Sequence, residues 1–360
     1  MIIKTYQKYL IKTFLYLLLQ ISLVFFSLVL ILNIFEEINY FKDTNVGFVY
    51  PIILTLLNGP SILYSIFPFI FLITTKFFFI KISEKNELDI CKRYGLTNFQ
   101  ILKIISFVSF LVGIFIIIFF YSFSSKLKNI HLEIKNKYSG DNKYLAVVTE
   151  NGLWIKDEIN GATNLINADK ISDNFLINVS ITQFDKNYQL IQNINAKKAD
   201  ISKNNWIIEK ASVSKGLFSE KKVEDIIFES HFDLEKINSM FSNLSSLTLL
   251  KLNKLKKDYE SLGYSTLEID THIGKIFSYP IYLSIMTLFA GIIMLNIKFN
   301  KPKIFHIILG ILLSVIIYYI NFFSTVLGEN GKISTTLSVW MPLLIIILIS
   351  SIGLVRINEK

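Results

Sequence analysis

The charged residues that could do chemistry cluster in one short polar segment, Lys81–Thr97 (KISEKNELDICKRYGLT), between two long apolar runs. Its pattern predicts a helix over about residues 83–95. Ser83 is a typical N-cap, and the carboxylates of Glu84 and Glu87 would lie in the first turn, where the helix dipole favours negative charge. Such a helix offers charge pairing to a soluble partner. The alternative is a solvated connector on the membrane surface.

The same segment has an apolar face and a defined end. Leu88 and Cys91 lie three residues apart and therefore share one side of the helix. Gly95 is typical of the left-handed residue that ends a helix. Thr97 and Gln100 then form the pattern of a capping box for the next helix. The segment is therefore predicted to be a short surface helix between two membrane spans.

Groups that could catalyse a reaction or bind a metal are scattered along the rest of the chain. No two of the four histidines have the spacing of metal ligands, and Cys91 is the only cysteine, which excludes an internal disulfide. Gly331-Lys332-Ile333-Ser334 lacks the spacing of a phosphate-binding loop. The sequence therefore indicates a protein without a catalytic centre or a cofactor. If the protein transports something, a separate ATPase is expected to supply the energy.

The elements that position this segment are membrane spans. The chain has 360 residues, of which 52% are hydrophobic, and its mean hydropathy of +0.48 is that of an integral membrane protein. Glu36–Val46 is predicted to be a loop, and Phe48–Leu57 a short apolar piece that Asn58-Gly59-Pro60 interrupts. The six predicted spans are Phe14–Phe35, Ile62–Ile80, Phe99–Ser122, Ile273–Asn296, Lys303–Thr325 and Leu337–Val355.

The middle of the chain, residues 124–271, changes from long apolar runs to alternation. In Phe175–Phe184, apolar and polar residues alternate as in a half-buried strand. Many short strands without crossover helices favour an antiparallel sandwich or jelly roll, and a helix is predicted over residues 245–262. The remaining strands are predicted at Leu145–Val148, Gly152–Lys156, Tyr188–Ile194, Trp206–Ala211 and Asp225–Phe232. The predicted architecture is three spans in residues 1–123, this domain, and three spans in residues 272–360.

The net charge of +9 is unevenly distributed. The range 123–272 holds 20 lysines and 20 acidic residues, so the excess of 17 basic over 8 acidic residues lies in the remainder. Basic residues in short loops beside apolar runs report membrane topology and do not indicate nucleic-acid binding. Their distribution predicts that both termini are cytoplasmic and that the β domain lies on the opposite side of the membrane.

Two stretches carry a resemblance to a known family. Glu87-Leu88-Asp89-Ile90-Cys91 followed by Gly95-Leu96-Thr97, the strand Gly152–Asp157 (GLWIKD), and the whole architecture resemble the LptF/LptG permeases of lipopolysaccharide export. The GLWIKD strand and the helix at Leu247–Gly263 are more similar to LptG than to LptF. The resemblance covers the whole chain.

The resemblance implies an inner-membrane ABC transporter subunit with a periplasmic β-jellyroll. It would work with an LptB-type ATPase dimer, an LptF-type partner permease and an LptC-type single-span protein, and it would extract lipopolysaccharide and pass it to a periplasmic bridge. Glu87 would be the glutamate that couples to the ATPase, and Leu88, Cys91 and Gly95 would belong to the same coupling segment.

The lipid path follows from the resemblance and from polar residues inside the spans. By resemblance, spans one and five form a lateral gate, and a lysine that contacts lipid phosphates in the family is replaced here by Asn33, with Lys42 nearby. Ser314 and Asn321 are polar positions in span five, and hydrogen bonding between helices is the alternative role for such groups. Three apolar residues of one strand would carry acyl chains through the β domain, or would fill a closed core: Ile177, Val179 and Ile181.

Two other classes of function compete with transport. A membrane scaffold would use its external β domain to recruit a partner, without moving a lipid. A membrane enzyme acting on lipids is disfavoured because no catalytic set is present. An ATPase that copurifies with the chain would favour transport over the scaffold.

Overall fold

The computed structural model describes residues 4–42, 47–138, 153–159, 161–172, 174–215, 222–234, 236–237, 243–296 and 302–358. The chain divides into two compact units. A helical unit combines Met1–Lys128 with Thr266–Lys360, and a second unit consists of Asn129–Ser265. The sheet lies in the second unit.

In the described part of the chain, six helical stretches are long and apolar enough to cross a membrane, which confirms the predicted multi-pass architecture. The third of these stretches contains a π-helical turn at Ile116–Tyr121. The helices are α1 (Thr5–Tyr40), α2 (Val49–Glu84), α3 (Glu87–Arg93), α4 (Asn98–Phe115), α5 (Ser122–Tyr138), α6 (Leu249–Ser261), α7 (Leu267–Asn296), α8 (Lys303–Glu329) and α9 (Thr335–Asn358).

Helix α2 is continuous through Asn58-Gly59-Pro60, so the predicted interruption after Phe48–Leu57 is wrong. Gly59 is packed so closely against α1 that a Cβ atom there would lie 2.8 Å from Leu30 Cδ2. Asn58 also donates a 3.4 Å hydrogen bond to the Asn33 side chain of α1. Packing against a neighbouring helix therefore overrides the local helix-breaking signal, as is common for Pro and Gly in membrane helices.

Helix α1 extends to Tyr40, so the loop predicted from Glu36 begins later. Glu37 is fully buried, and its carbonyl accepts a 3.2 Å hydrogen bond from the amide of Phe41. The Glu36 side chain accepts a 3.3 Å bond from Asn33. Two acidic residues assigned to a loop from the sequence thus belong to a membrane-length helix.

Helices α4 and α7 make a close contact through small residues. A Cβ atom on Gly113 would lie 2.6 Å from Pro280 Cα. The side chains of Ser106 and Ser284 are 2.7 Å apart, and those of Ser109 and Thr287 are 2.8 Å apart. Small residues let helix backbones approach in a membrane, and hydroxyl pairs then join them.

Helices α1 and α8 are the least covered of the six. Within its most apolar stretch, 11% of α1 and 22% of α8 is buried in the chain, against 33–67% for the other four. Both helices therefore leave wide apolar faces for lipid or for another protein.

The second unit contains an antiparallel, curled sheet of seven described strands that forms a half-barrel, consistent with the predicted jellyroll-like domain. The strand order is β1-β2-β4-β5-β6-β7, and the short β3 pairs with β4. The predicted strand at Leu145–Val148 lies outside the described residues. The strands are β1 (Leu153–Ile159), β2 (Ala162–Ala168), β3 (Lys170–Ser172), β4 (Phe175–Phe184), β5 (Leu190–Asp200), β6 (Asn205–Lys215) and β7 (Lys222–Glu229).

The buried face of the sheet changes parity in the middle of β4. Asn178 has a φ of 53°, so Leu176, Val179 and Ile181 are buried while Ile177 is half-buried. The prediction that Ile177 faces inward with Val179 and Ile181 is therefore wrong. Lys210 in β6 has the same left-handed backbone, with a φ of 51°. It lies at a register shift against β7, where an extra residue in one strand breaks strict alternation.

Candidate coupling and lipid-contact sites

Helix α3 follows α2 with almost no loop. Asn86 has a left-handed φ of 56° and turns the chain directly into Glu87. Ser83 and Glu84 lie inside α2, so their predicted roles as N-cap and first-turn residue of the coupling helix are wrong. The carboxylates in the first turn of α3 are those of Glu87 and Asp89, which interact favourably with the helix dipole.

The end of α3 has the predicted cap. Gly95 has a φ of 81°, and the amide of Leu96 donates a 3.0 Å hydrogen bond to the carbonyl of Cys91. The side chain of Thr97 accepts a 3.2 Å bond from the amide of Gln100, whose own side chain accepts one from the amide of Thr97. Helix α3 is therefore a discrete unit between two defined turns.

Leu88 anchors α3 to the helical unit. It is 3% exposed and belongs to a buried cluster that includes Leu10 and Phe14 of α1, and Cys91 packs against the edge of that cluster. Burial and, to a smaller extent, the Glu87 carboxylate raise the pKa of the Cys91 thiol. Cys91 is thus a packing residue in its thiol form and is poorly suited to be a nucleophile.

The other side of α3 is an exposed surface of mixed chemistry. The positively charged Lys92 and Arg93 are exposed next to two apolar or aromatic side chains, Ile90 at 50% and Tyr94 at 85% exposure. Tyrosine and arginine are enriched among the residues that dominate binding energy in protein interfaces. The sequence pattern predicted the charges of this surface but not the exposure of Ile90 and Tyr94.

Glu87 stands at the border between the anchor and the exposed surface. Its side chain is 24% exposed and lies 4.0 Å from the Lys85 ammonium group. The Tyr9 hydroxyl of α1 lies 2.8 Å from both carboxylate oxygens and donates a hydrogen bond to them. Sequence reasoning missed Tyr9 because 78 residues separate it from Glu87, and no local spacing connects them.

The predicted lipid-contact residues of the helical unit do not form one cluster. Asn33 is 3% exposed and bonds Asn58 between α1 and α2. Ser314 donates a 2.8 Å bond to the Gly310 carbonyl of its own helix, and Asn321 bonds the Tyr282 hydroxyl of α7. The contacts of Asn33 and Asn321 fit the helix–helix alternative for the polar residues, whereas the Ser314 bond stays within one helix. Lys42, just beyond the end of α1, is exposed.

A serine and a histidine lie within hydrogen-bond distance of an aspartate in the second unit: Ser230 and His231 both contact Asp157. Asp157, the last residue of the GLWIKD stretch in β1, is fully buried and accepts bonds of 2.8 Å from Ser230 Oγ and 3.0 Å from the amide of His231. His231 Nδ1 lies 2.8 Å from its other oxygen. Both partners bond the carboxylate, whereas a catalytic triad needs the serine to bond the histidine. The described contacts therefore join β1 to the chain after β7.

The described residues contain no group of three or more histidine, cysteine or acidic side chains that could hold a metal ion.

The model of the family described as "Lipopolysaccharide export system permease LptF/LptG" matches residues 8–356, nearly the whole chain. Comparison with individually curated proteins gives no match.

Proposed function

The chain belongs to the LptF/LptG family of lipopolysaccharide export permeases, and on this premise we propose that it is the permease subunit of an ABC transporter driven by a separate ATPase. The family gives the chain its role in lipopolysaccharide export and its place in the inner membrane. Extraction of the lipid from that membrane and its transfer to a periplasmic bridge are our proposal.

The observation that carries the proposal is the construction of α3. Its buried Leu88 fixes it to the membrane helices, and its exposed face presents Lys92, Arg93 and Tyr94 to a partner. A helix that is anchored on one side and charged on the other is suited to transmit a movement. We assign it as the helix that an LptB-type ATPase dimer contacts, with Glu87 at the edge of the contact.

The sequence supports an external energy source and a fixed orientation. It contains no phosphate-binding loop, so ATP hydrolysis is assigned to the partner and the chain itself is proposed to be non-catalytic. The basic residues of the short loops support an orientation with both termini in the cytoplasm and the sheet in the periplasm. The sheet would receive the lipid there.

Two further partners are proposed. The exposed apolar faces of α1 and α8 are suited to contact a second permease of the LptF type. The lipid gate would lie between the two subunits. An LptC-type protein would complete the assembly. The assignment of this chain as LptG-type rests on GLWIKD and on the α6 region, Leu247–Gly263.

The proposal is tested by purifying the tagged chain in mild detergent with the proteins of its own membrane. We expect an ATPase and a second permease to copurify, and ATP hydrolysis by the complex to rise when lipopolysaccharide is added. A matched preparation in which Leu88→Asp disrupts the anchor of α3 should lose the ATPase. A chain that copurifies with envelope proteins but with no ATPase would favour the scaffold function instead.

A further inference from the structure

The contact between α1 and α3 is made by side chains. Helix α3 packs mainly against α2, and the backbones of α1 and α3 approach little. The Tyr9 hydroxyl nevertheless reaches both oxygens of Glu87 at 2.8 Å. A hydrogen bond to an ionised carboxylate is stronger than one between neutral groups. It therefore adds a defined link between the first span and the proposed coupling helix.

The surroundings make this link consequential. Helix α1 is the least buried of the six spans, and it packs chiefly against α2. At the beginning of α1, Leu10 and Phe14 are buried in the cluster that also holds Leu88 of α3. The Tyr9 hydroxyl thus acts at the end of α1 that packs in the same cluster as α3.

We propose that Tyr9 is a positioning residue: its hydroxyl holds the Glu87 carboxylate and thereby connects the coupling helix to the first span. This inference rests on the proposed function and deepens it. A displacement of α3 by the ATPase would be passed to α1, one side of the proposed gate, through the Tyr9–Glu87 bond.

The bond leaves Glu87 able to meet a partner. An ionised carboxylate has about four acceptor positions, and the Tyr9 hydroxyl, which is shared between the two oxygens, uses one position on each. The remaining positions can accept from a basic residue of the ATPase, and the carboxylate is 24% exposed for that contact. Tyr9 would then orient the carboxylate for a second bond rather than compete with it.

The test compares Tyr9→Phe, which removes only the hydroxyl, with Tyr16→Phe as a matched control. Tyr16 lies on the same helix, and its hydroxyl accepts a bond from Gln20 instead. Spin labels at Lys12→Cys and Lys92→Cys, two exposed positions, in a Cys91→Ser background report the spacing of α1 and α3 in lipid nanodiscs. We expect Tyr9→Phe, and not Tyr16→Phe, to broaden the distance distribution.

A functional measurement on the same variants separates positioning from general stability. In the complex with its ATPase, Tyr9→Phe should lower lipopolysaccharide-stimulated ATP hydrolysis about tenfold, as expected from loss of a hydrogen bond to a charged group. In a Glu87→Ala background it should have no further effect, because the bond is already absent. A Glu87→Gln background, which keeps an acceptor, should retain part of the effect.

The two measurements also separate this inference from the proposed function. An unchanged distance distribution in Tyr9→Phe, or an equal additional loss in the Glu87→Ala background, would overturn the role of Tyr9. If the wild-type chain binds no ATPase, the proposed function fails, while the distance measurement still decides whether Tyr9 holds α3 to α1.

Discussion

Gly113 in α4 offers a prediction whose size follows from the contact between α4 and α7. In Gly113→Ala the new methyl group would lie 2.6 Å from Pro280 Cα and 3.0 Å from Pro280 Cβ. Carbon atoms pack at about 3.5–4.0 Å, so the two helices would have to separate by about 1 Å. The hydroxyl pairs Ser106–Ser284 and Ser109–Thr287 resist that separation.

We therefore expect Gly113→Ala to destabilise the protein by about 1–3 kcal/mol, the usual cost of overpacking. Ser109→Ala should cost less, about 0.6 kcal/mol, because it removes one hydrogen bond between membrane helices. Gly47→Ala is the control, since a Cβ atom there would meet no other atom within 4 Å. Reversible unfolding by SDS in mixed micelles, followed by circular dichroism, gives the three values. A Gly113→Ala variant as stable as Gly47→Ala would refute the close contact.

Three further predictions concern the coupling segment and the topology. Glu87→Ala should abolish export or uncouple ATP hydrolysis, because leaving a charged group of the ATPase unpaired costs about 2–5 kcal/mol. Growth and ATPase activity measure the two outcomes. Glu84→Ala, at the end of α2, should have a smaller effect, and equal effects of the two substitutions would count against the assignment of Glu87. The pH midpoint of Cys91 alkylation should lie above that of an ordinary thiol, since its pKa is raised by burial and by Glu87, and Glu87→Gln should lower it; an unshifted midpoint would contradict this. A reporter active only in the periplasm should be active after Asn204 and inactive after Lys360, and the reverse would overturn the orientation.

The sequence predicted those parts of the fold that depend on local pattern. The six spans follow from runs of apolar residues as long as a bilayer is thick. The ends of the coupling segment follow from Gly95 and from the Thr97–Gln100 capping box, which are satisfied within a few residues. Helical spacing placed Leu88 and Cys91 on one face of the segment, and in the structure that face packs against the helical unit.

The errors lie where tertiary packing or a single backbone angle decides the structure. The Asn58-Gly59-Pro60 signal is overridden because Gly59 fits closely against Leu30 of α1. Alternation from Ile177 to Ile181 is regular in the sequence, yet the left-handed Asn178 shifts the buried face by one residue.

The parts of the candidate sites that could not be predicted are long-range pairs. Tyr9 and Glu87 are 78 residues apart, and Asp157 and Ser230 are 73 residues apart. Composition, periodicity and capping describe neighbours within a few positions, so they carry no information on such pairs. The sequence identified Asn33 and Asn321 as polar positions inside spans, but it did not identify their partners Asn58 and Tyr282.

The central claim, that the chain moves lipopolysaccharide at the expense of ATP, is tested most directly by photocrosslinking in the membrane. A photoreactive residue is placed at Leu32 of α1 and at Phe323 of α8, which are 71% and 61% exposed, and at Leu348 of α9 as a control, which is 64% exposed. We predict that the first two positions capture lipopolysaccharide to an extent that changes with ATP, and that Leu348 shows no such dependence. Capture of protein alone at Leu32 and Phe323, or equal capture of lipid with and without ATP, would contradict the account.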